Sequence, residues 1–482
     1  MAATATPADT ASTKKWGSTV PLVSRISYAF GEFGSQFVWN TLGAYLLVFY
    51  TDVALIAPAA AGTILLVSRI LDGIQDLVFG YIAERTKSRW GRFRPYVIWG
   101  APFLTLSFII TFWSPSVPEP GKIAYAGVTY VLLCFMYTIV NMAYGAMAGV
   151  MTTKTEERLD LTWIRNLGSV VSQLLLGVAV PAMLVFFSAA GDGKTMNGQG
   201  YLWTIAILGI TALPMFLLTG FNCKEVITLT PEQSKVPFSR TVKAVFTNLP
   251  LMLVFSTLLL VLFGLFGRIG MVVFYVKNVM GGGPVEIGLV FTTFSTVQMI
   301  AGVFLPKFAN IVGKARMLII ANVIAAACLF GLYFADATNL TVVLFFTGAY
   351  AATLFAGPIT LSMIPDAVDH YEMKHGIRAD GTSYATVSLS TKIAGAVGGA
   401  ITLYIIGAFG YDGAAQVQTA EAIQGINIAT NLFPGIMALL ACIPLFFYKL
   451  DHKTMQHVEA ELKKRRAAEE AEEAASDKPA TE

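Results

Sequence analysis

The stretch APAAAGTILLVSRILDGIQDLVFGYIA, residues 57–83, is followed directly by the basic turn ERTKSRWGRFR, residues 84–94. The apolar stretch exceeds the roughly 20 residues that a helix needs to cross the core of a bilayer. The turn holds five Lys and Arg residues, and membrane proteins keep such loops on the cytoplasmic side. The apolar stretch and the basic turn together predict a membrane-spanning helix that ends on the cytoplasmic side.

The rest of the chain repeats this alternation of apolar spans and short polar loops. Hydrophobic residues make up 55% of the 482 residues and charged residues 13%, about half of the ~25% usual in soluble proteins. Basic residues concentrate in alternate loops, which predicts that both termini are cytoplasmic. The sequence thus predicts an all-α membrane protein of the bacterial cytoplasmic (inner) membrane. Its twelve transmembrane helices are expected at 22–50, 57–83, 96–113, 123–150, 160–188, 201–221, 248–277, 284–310, 316–335, 340–364, 383–410 and 425–449.

A long loop at 222–247 divides these spans into two sets of six. We expect an N-terminal bundle at 22–221 and a C-terminal bundle at 248–450, preceded by a cytoplasmic segment at 1–21 and followed by a charged tail at 451–482. The turn after the eighth span, 313–316, is a shorter relative of the basic turn after the second. Six plus six spans with equivalent turns resemble the major facilitator fold of two six-helix bundles, in which the substrate binds between the halves.

The second span carries ionisable side chains in the apolar region, where each is costly unless it is paired or hydrated. Arg69, Asp72, Gln75 and Asp76 follow one another at spacings that place them on one helical face. Two carboxylates one turn apart supply oxygen ligands for a small cation, or they share a proton. A structural salt bridge with Arg69 is the alternative.

The first span has a polar face of its own, formed by Glu32, Gln36 and Asn40 with Trp39 beside it. Amides and an aromatic ring suit a sugar, because hydroxyl groups need directed partners and the pyranose face stacks on a ring. Hydrogen bonds between spans are the alternative.

Four further spans carry polar or charged side chains. The fourth has Tyr137, Thr138, Asn141 and Tyr144 on one face, and the fifth begins near Arg165, which could also be an interfacial cation. In the C-terminal half, Arg268 and Lys392 lie well inside the seventh and eleventh spans. Each is predicted to be a countercharge for the acids of the first half, a substrate contact, or both. Gly357-Pro358 predicts a break in the tenth span.

Four motifs carry a resemblance to a known family. They are YAFGEFGSQF (28–37), RILDGIQDLVFGYIAERTKSRWGRFRPY (69–96), YTIVNMAYGAM (137–147) and PDAVDHYEMKHGIRADGTSYATVSLSTKIAGAVGGA (365–400). Together they resemble the glycoside–pentoside–hexuronide:cation symporters, a group that includes the melibiose permease. The resemblance runs in order over essentially all twelve spans.

The resemblance implies the roles of several residues. A cation site would be formed by Asp72, Gln75, Asp76 and Thr138, with Lys392 beside it. If the coupling ion is sodium, Asp72 and Asp76 would be its metal ligands; a proton would need only one of them. Gln36, Asn141 and Arg165 would face the sugar, and the span patterns add Trp39, Tyr144, Arg268 and Lys392 as substrate contacts.

Two departures from the melibiose permease bear on specificity. Gln36 and Asn141 stand where that protein has aspartates, so galactoside specificity does not carry over. The cavity is then less negative, while Arg165, Lys392 and Arg268 are kept. Such a cavity would tolerate or prefer an anionic sugar, such as a uronide or a sulfonated hexose.

The cytoplasmic turns contain charges that are expected to pair when the inner gate is closed. The candidates are Arg92, Arg94, Asp366, Asp369 and Arg378. Ordinary solvated loop charges are the alternative.

Other classes of function fit less well. Four histidines in a loop and the tail, with four scattered cysteines, offer neither metal-ligand spacing nor a nucleophile with its base, so no enzyme and no cofactor other than the coupling H⁺ or Na⁺ is expected. A net charge of +3 gives no reason to expect nucleic acid. A lipid or amphiphile carrier on the same fold is the alternative, but it should have an apolar cavity. We expect a monomer in contact with membrane lipids and a small sugar or glycoside as its substrate.

Overall fold

The computed structural model describes most of the chain. It covers residues 20–86, 88–152, 154–189, 195–226, 246–304, 312–354, 356–376, 380–415, 417–450, 454–458 and 460–464. Nearly all of these residues are helical, and the long helices fall at the twelve positions expected from the sequence.

The N-terminal half contains helices α1 to α6. Their bounds are α1 Leu22–Val48, continued by a π-helical turn at Phe49–Val53, α2 Pro58–Arg85, α3 Arg94–Thr111, α4 Glu119–Met151, α5 Thr155–Ser188 and α6 Gly198–Asn222.

The C-terminal half contains helices α7 to α12. Their bounds are α7 Leu249–Phe274, continued by a π-helical turn at Tyr275–Val279, α8 Pro284–Phe304, α9 Lys314–Phe334, α10 in two parts at Leu340–Thr353 and Ala356–His375, and α11 Asp380–Ala408. Helix α12 runs through Ala420–Asn427, a π-helical turn at Ile428–Leu432, Phe433–Leu440 and Cys442–Phe447.

Local sequence signals explain where several helices begin. Asn197, Asn248 and Asn339 precede α6, α7 and α10, and each side chain accepts a hydrogen bond from a backbone N–H of the first turn. The predicted break in the tenth span lies slightly earlier than expected. The first part of α10 ends at Thr353, and the second begins at Ala356, two residues before Pro358. Pro358 thus lies in the first turn of the second part, where the N–H that proline lacks would have no acceptor within the helix.

The two halves have the same pattern of neighbouring helices. In the first half α1 packs on α5 and α6, α3 on α4 and α6, and α2 on α4. Adding six to each number gives the main pairs of the second half: α7 packs on α11 and α12, α9 on α10 and α12, and α8 on α10. The prediction of two equivalent six-helix bundles is therefore confirmed.

Three helix pairs join the bundles: α1 with α7, α2 with α11, and α5 with α8. Within the second bundle, α7 and α11 approach each other closely at Gly398, where an added Cβ would lie 2.5 Å from the carbonyl oxygen of Phe263. Only glycine fits there, and the contact fixes α11 against the helix that faces the other half.

Large apolar side chains cover much of the outer surface, among them Val128, Phe334 and Phe345. Nine helices of the described part of the chain are long and apolar enough to span a membrane by length and composition alone; α1, α2 and α3 are not among these nine. A surface with so many exposed apolar side chains is suited to contact with lipid rather than with water. The protein is therefore an integral membrane protein.

Residues 227–245, most of the predicted middle loop, lie outside the described residues, as do 1–19 and 465–482. The boundaries of the two bundles therefore stay a prediction. In the tail, Met455, Val458 and Leu462 form a small apolar cluster with Met373 at the end of α10.

Candidate substrate and cation site

A cavity of about 420 Å³ lies between the two bundles. Its size is typical of a small-molecule site. It is lined from the first half by α1, α2, α4 and α5, and from the second half by Phe266 of α7 and by Thr391 and Lys392 of α11. We call it the central cavity. Eight residues predicted from the sequence line it: Gln36, Trp39, Asp72, Asp76, Thr138, Asn141, Arg165 and Lys392.

The two acids of α2 meet a lysine from the opposite bundle. Lys392 Nζ lies 3.2 Å from Asp72 Oδ2 and is also ion-paired with Asp76. Asp72 is only 3% exposed, and its other oxygen accepts a hydrogen bond from Thr138 Oγ1 at 2.8 Å. Arg69 Nη1 lies 3.5 Å from Asp72 Oδ2, so part of the alternative salt bridge is also present. The cluster therefore links α2 and α4 of one bundle to α11 of the other.

A second ion pair lies on the α1 and α5 side of the cavity. Arg165 Nε donates to Glu32 Oε2 at 2.7 Å, and Gln36 Nε2 donates to Glu32 Oε1 at 2.6 Å. The cavity is thus lined by three acids, Glu32, Asp72 and Asp76, and three bases, Arg69, Arg165 and Lys392. Their formal charges cancel. The sequence pattern marked Glu32 only as part of a polar face, although its charge inside a span was itself a signal that a cation must lie nearby.

Aromatic and amide groups complete the lining. Trp39 stacks on Tyr137 with ring centroids 5.3 Å apart, and Arg69 lies over the Trp39 ring at 4.9 Å. Ser35 Oγ is 2.9 Å from Tyr137 Oη and donates to Asn141 Oδ1 at 3.0 Å. Ser35 was not singled out from the sequence, because a small hydroxyl in a span has no distinctive pattern.

Some hydrogen-bonding capacity in the cavity is not used by the protein itself. Among the described residues, Asn141 Nδ2 and the terminal nitrogens of Arg165 have no acceptor, and Gln36 Oε1 has no donor. Two kinds of donor and one acceptor around an aromatic ring can bind the hydroxyl groups of a sugar. The cavity can therefore hold a polar solute beside a carboxylate pair.

Comparison with known proteins places the chain in a family. A family model described as MFS/sugar transport protein matches residues 27–452. The chain belongs to this family. Its members are transporters, and the resemblance to glycoside–pentoside–hexuronide:cation symporters is confirmed.

Relatives of this MFS sugar transport protein match over almost the full length. The uncharacterized symporter YnaJ of Bacillus subtilis (strain 168) is 33% identical over 451 residues, covering 92% of this chain and 96% of that protein. The isoprimeverose transporter of Lactiplantibacillus pentosus is 29% identical over 459 residues, covering 94% of this chain and 93% of that protein. A crystal structure of a D-xylose-proton symporter superposes with a TM-score of 0.64 at 16% identity, over 90% of this chain and 99% of that one. The last match shows a shared fold, and the predicted major facilitator architecture is confirmed.

Three of the predicted site residues of this transporter lie outside the lining of the central cavity. Tyr144 is fully buried behind Arg165, stacks on Tyr28 at 4.7 Å and donates its hydroxyl to the Tyr28 carbonyl oxygen at 2.9 Å. Gln75 donates its amide to the Phe135 carbonyl oxygen at 2.8 Å. Arg268 lines a separate, smaller cavity. In this conformation, Tyr144 supports the Arg165 guanidinium and Gln75 holds α2 to α4.

Two of the predicted gate residues, Arg94 and Asp366, are bonded within their own bundles. Arg94 donates to the carbonyl oxygens of Gly220 and Phe221, each at 2.8 Å, at the end of α6. Asp366 is ion-paired with Lys314 at 2.5 Å. The backbone N–H of Arg92 donates to Glu225 at 2.7 Å, and Asp369 lies in the second part of α10. Arg378 lies outside the described residues. Ion pairs between these turns stay a prediction for the state in which that end is closed.

The transporter's bundles are linked directly at the opposite end, remote from both termini. Asp52, at the end of α1, is ion-paired with Lys277, at the end of α7, at 2.5 Å. Tyr411 Oη donates to the other oxygen of Asp52 at 2.7 Å. Burial raises the pKa of Tyr411 above its ordinary value, so its hydroxyl remains a donor. These three residues were not predicted to interact, because single charges in short loops are usually solvated.

Proposed function

We propose that this protein is a secondary active transporter that carries a sugar or glycoside together with a cation, H⁺ or Na⁺, by alternating access. The observation that carries the proposal is the central cavity, in which unused amide and guanidinium donors lie beside a carboxylate pair bound to the opposite bundle. We further propose that it works as a monomer in the bacterial cytoplasmic membrane with both termini inside.

Coupling follows from competition for the two carboxylates of α2. Lys392 is ion-paired with both Asp72 and Asp76 when no other cation is bound to them. A coupling cation at these oxygens displaces the ammonium group of Lys392 and loosens the contact between α2 and α11. Sugar binding at Asn141 and Arg165 is then coupled to the same rearrangement, and by linkage each ligand strengthens the binding of the other.

A proton and a sodium ion make different demands on this site. A proton needs only one of the two carboxylates. Sodium needs several oxygen ligands, and no cluster of three His, Cys, Asp or Glu side chains that could hold a metal occurs in the described part of the chain. Asp72, Asp76 and the hydroxyl of Thr138 would then bind sodium together with water, with Lys392 moved away.

The test is uptake into proteoliposomes of a panel of neutral, uronic and sulfonated glycosides. Each is measured under an imposed proton gradient and then a sodium gradient, with Asp76→Asn as the matched variant. The proposal predicts gradient-driven accumulation of at least one glycoside, with the loss of accumulation in Asp76→Asn. Accumulation that does not depend on either gradient would refute symport.

A lipid or amphiphile carrier is the second candidate on this fold. Six charged side chains line the central cavity, which disfavours an apolar solute because each charge would be desolvated. Competition by amphiphiles, without competition by any glycoside, would replace the sugar proposal with this one.

A further inference from the structure

Arg268 of α7 is a buried cation that has no carboxylate partner in the part of the chain that the structure describes. It is only 4% exposed. Its Nε is fully buried and has no hydrogen-bond acceptor, and none of the carboxylates in the described residues forms an ion pair with it. Its one favourable contact with another side chain in this part of the chain is with the Tyr350 ring, whose centroid lies 5.0 Å from the guanidinium carbon.

Burying an unpaired guanidinium group has a large unfavourable desolvation free energy. A guanidinium group stays protonated under all ordinary conditions, so it cannot become neutral on burial as a lysine can. A contact with an aromatic ring offsets only part of the desolvation. Arg165, Arg69 and Lys392 all have a carboxylate partner. Arg268 therefore differs from the other buried cations between the bundles and calls for an anion from outside the described chain.

The cavity beside Arg268 is lined mainly by apolar side chains but also contains hydrogen-bond donors that an anion could use. Its volume is about 70 Å³, which exceeds the ~10–15 Å³ needed by one water and suits a group such as a carboxylate or sulfonate. No acidic residue lines it. Three further polar groups in its wall lack hydrogen-bond partners and can donate: Asn40 Nδ2, Thr41 Oγ1 and Tyr45 Oη.

A third cavity of about 100 Å³ separates the Arg268 cavity from the central cavity. It shares Trp39, Leu42, Arg69 and Phe266 with the central cavity, and Asn40 and Ile269 with the Arg268 cavity. Along α1, Gln36 of the central cavity and Asn40 of the Arg268 cavity are one helical turn apart, about 6 Å. A solute with its ring near Trp39 would have to extend through the third cavity to bring a substituent to Arg268.

We propose that the transported solute carries an acidic group, a carboxylate or a sulfonate, and that Arg268 binds this group with the help of Asn40 and Tyr45. The inference rests on the proposed transport of a sugar or glycoside. The formal charges of the central cavity cancel, so an acidic group has no unpaired cation there. The Arg268 cavity supplies one.

The test compares the binding of matched acidic and neutral solutes to the purified full-length protein. The pairs are methyl glucuronide with methyl glucoside, and a 6-sulfonated hexose with the parent hexose, measured by calorimetry at low and at high chloride. A charge-assisted hydrogen bond is expected to favour at least one acid over its neutral partner by about 10- to 100-fold. In Arg268→Gln this ratio should fall toward one, and Arg268→Lys should restore part of it.

A second variant does not depend on deleting the arginine. Asn40→Asp places a carboxylate in the wall beside Arg268, where it should compete with the acidic group of the solute. We expect the preference for the acid to be lost and the thermal stability of the solute-free protein to rise. An unchanged preference in Asn40→Asp would overturn the proposal.

The remaining outcomes separate the possible sources of the anion. If chloride alone stabilises the wild-type protein but not Arg268→Gln, and acids bind no more tightly than their neutral partners, then the anion is inorganic and the assignment to the solute is wrong. If neutral sugars bind and acids show no preference at any chloride concentration, the Arg268 assignment fails while sugar transport stands. If no glycoside of either kind binds, the proposed function itself fails.

Discussion

Replacing Lys392 by methionine removes the ammonium group that is ion-paired with both carboxylates of α2. Methionine keeps most of the length of the lysine chain, so the packing of α11 should change little. Asp72 keeps its bonds from Thr138 and Arg69. Asp76 keeps no ion pair, because Lys392 is its one ion-pair partner among the described residues. The substitution therefore destabilises the protein mainly by leaving the Asp76 carboxylate unpaired.

The size of that cost follows from the exposure of the pair. Removing one partner of a buried ion pair costs about 3–5 kcal/mol. The side chains of Lys392 and Asp76 are each 20% exposed, so we expect the lower end of this range, about 3 kcal/mol. For a chain of 482 residues, that corresponds to a fall of roughly 3 °C in the melting temperature, at about 1 °C per kcal/mol.

Thermal unfolding with a thiol-reactive dye can measure this change. Cys134, Cys223, Cys328 and Cys442 are all free and buried, so they react only as the protein unfolds. The matched control is the double variant Lys392→Met with Asp76→Asn, which removes the unpaired charge and should recover at least half of the loss. Equal melting temperatures for the wild type and Lys392→Met, or a double variant no more stable than Lys392→Met, would refute the assigned pairing.

Two further predictions concern residues outside the central cavity. Asp52→Asn breaks the ion pair with Lys277 and should shift the population by about fivefold toward conformations open at the end remote from the termini, since a partly exposed pair contributes about 1 kcal/mol. Labelling of cysteines placed at that end would detect the shift, and Asp336→Asn, an exposed acid on the same face, should leave the labelling unchanged. Tyr144→Phe removes the hydrogen bond to the Tyr28 carbonyl oxygen and should lower stability by about 1 kcal/mol while changing the KM for uptake by less than about twofold. A large rise in KM would instead assign Tyr144 to the substrate site.

The spans and the carboxylate face of α2 could be predicted because each depends on residues close together in the chain. Apolar length decides a span, and the spacing of Asp72 and Asp76 decides that they share a helical face. The partner of each charge could not be predicted in the same way. Lys392 and Asp72 are brought together by the packing of α11 on α2, and this depends on the rotation and height of both helices.

Tyr144 shows the limit of helical spacing as a guide. It lies on much the same face of α4 as Tyr137 and Asn141, so the pattern groups all three. Further along α4 the Tyr144 side chain packs against α1: its ring stacks on Tyr28, and a Cβ added at Gly31 would come within 2.5 Å of it. The cavity extends over only part of the helix, and spacing alone does not show where it ends.

The cancellation of charge in the central cavity has an electrical consequence. A carrier whose mobile site holds no net charge can return across the membrane unloaded without doing work against the membrane potential. The potential, worth about 2.3 kcal/mol per elementary charge per 100 mV, then acts on the loaded step alone. With a neutral sugar and one cation, that step moves one positive charge and is driven by a negative interior. With an acidic solute and one cation, the complete cycle moves no net charge, and accumulation should respond to the concentration gradients but not to voltage.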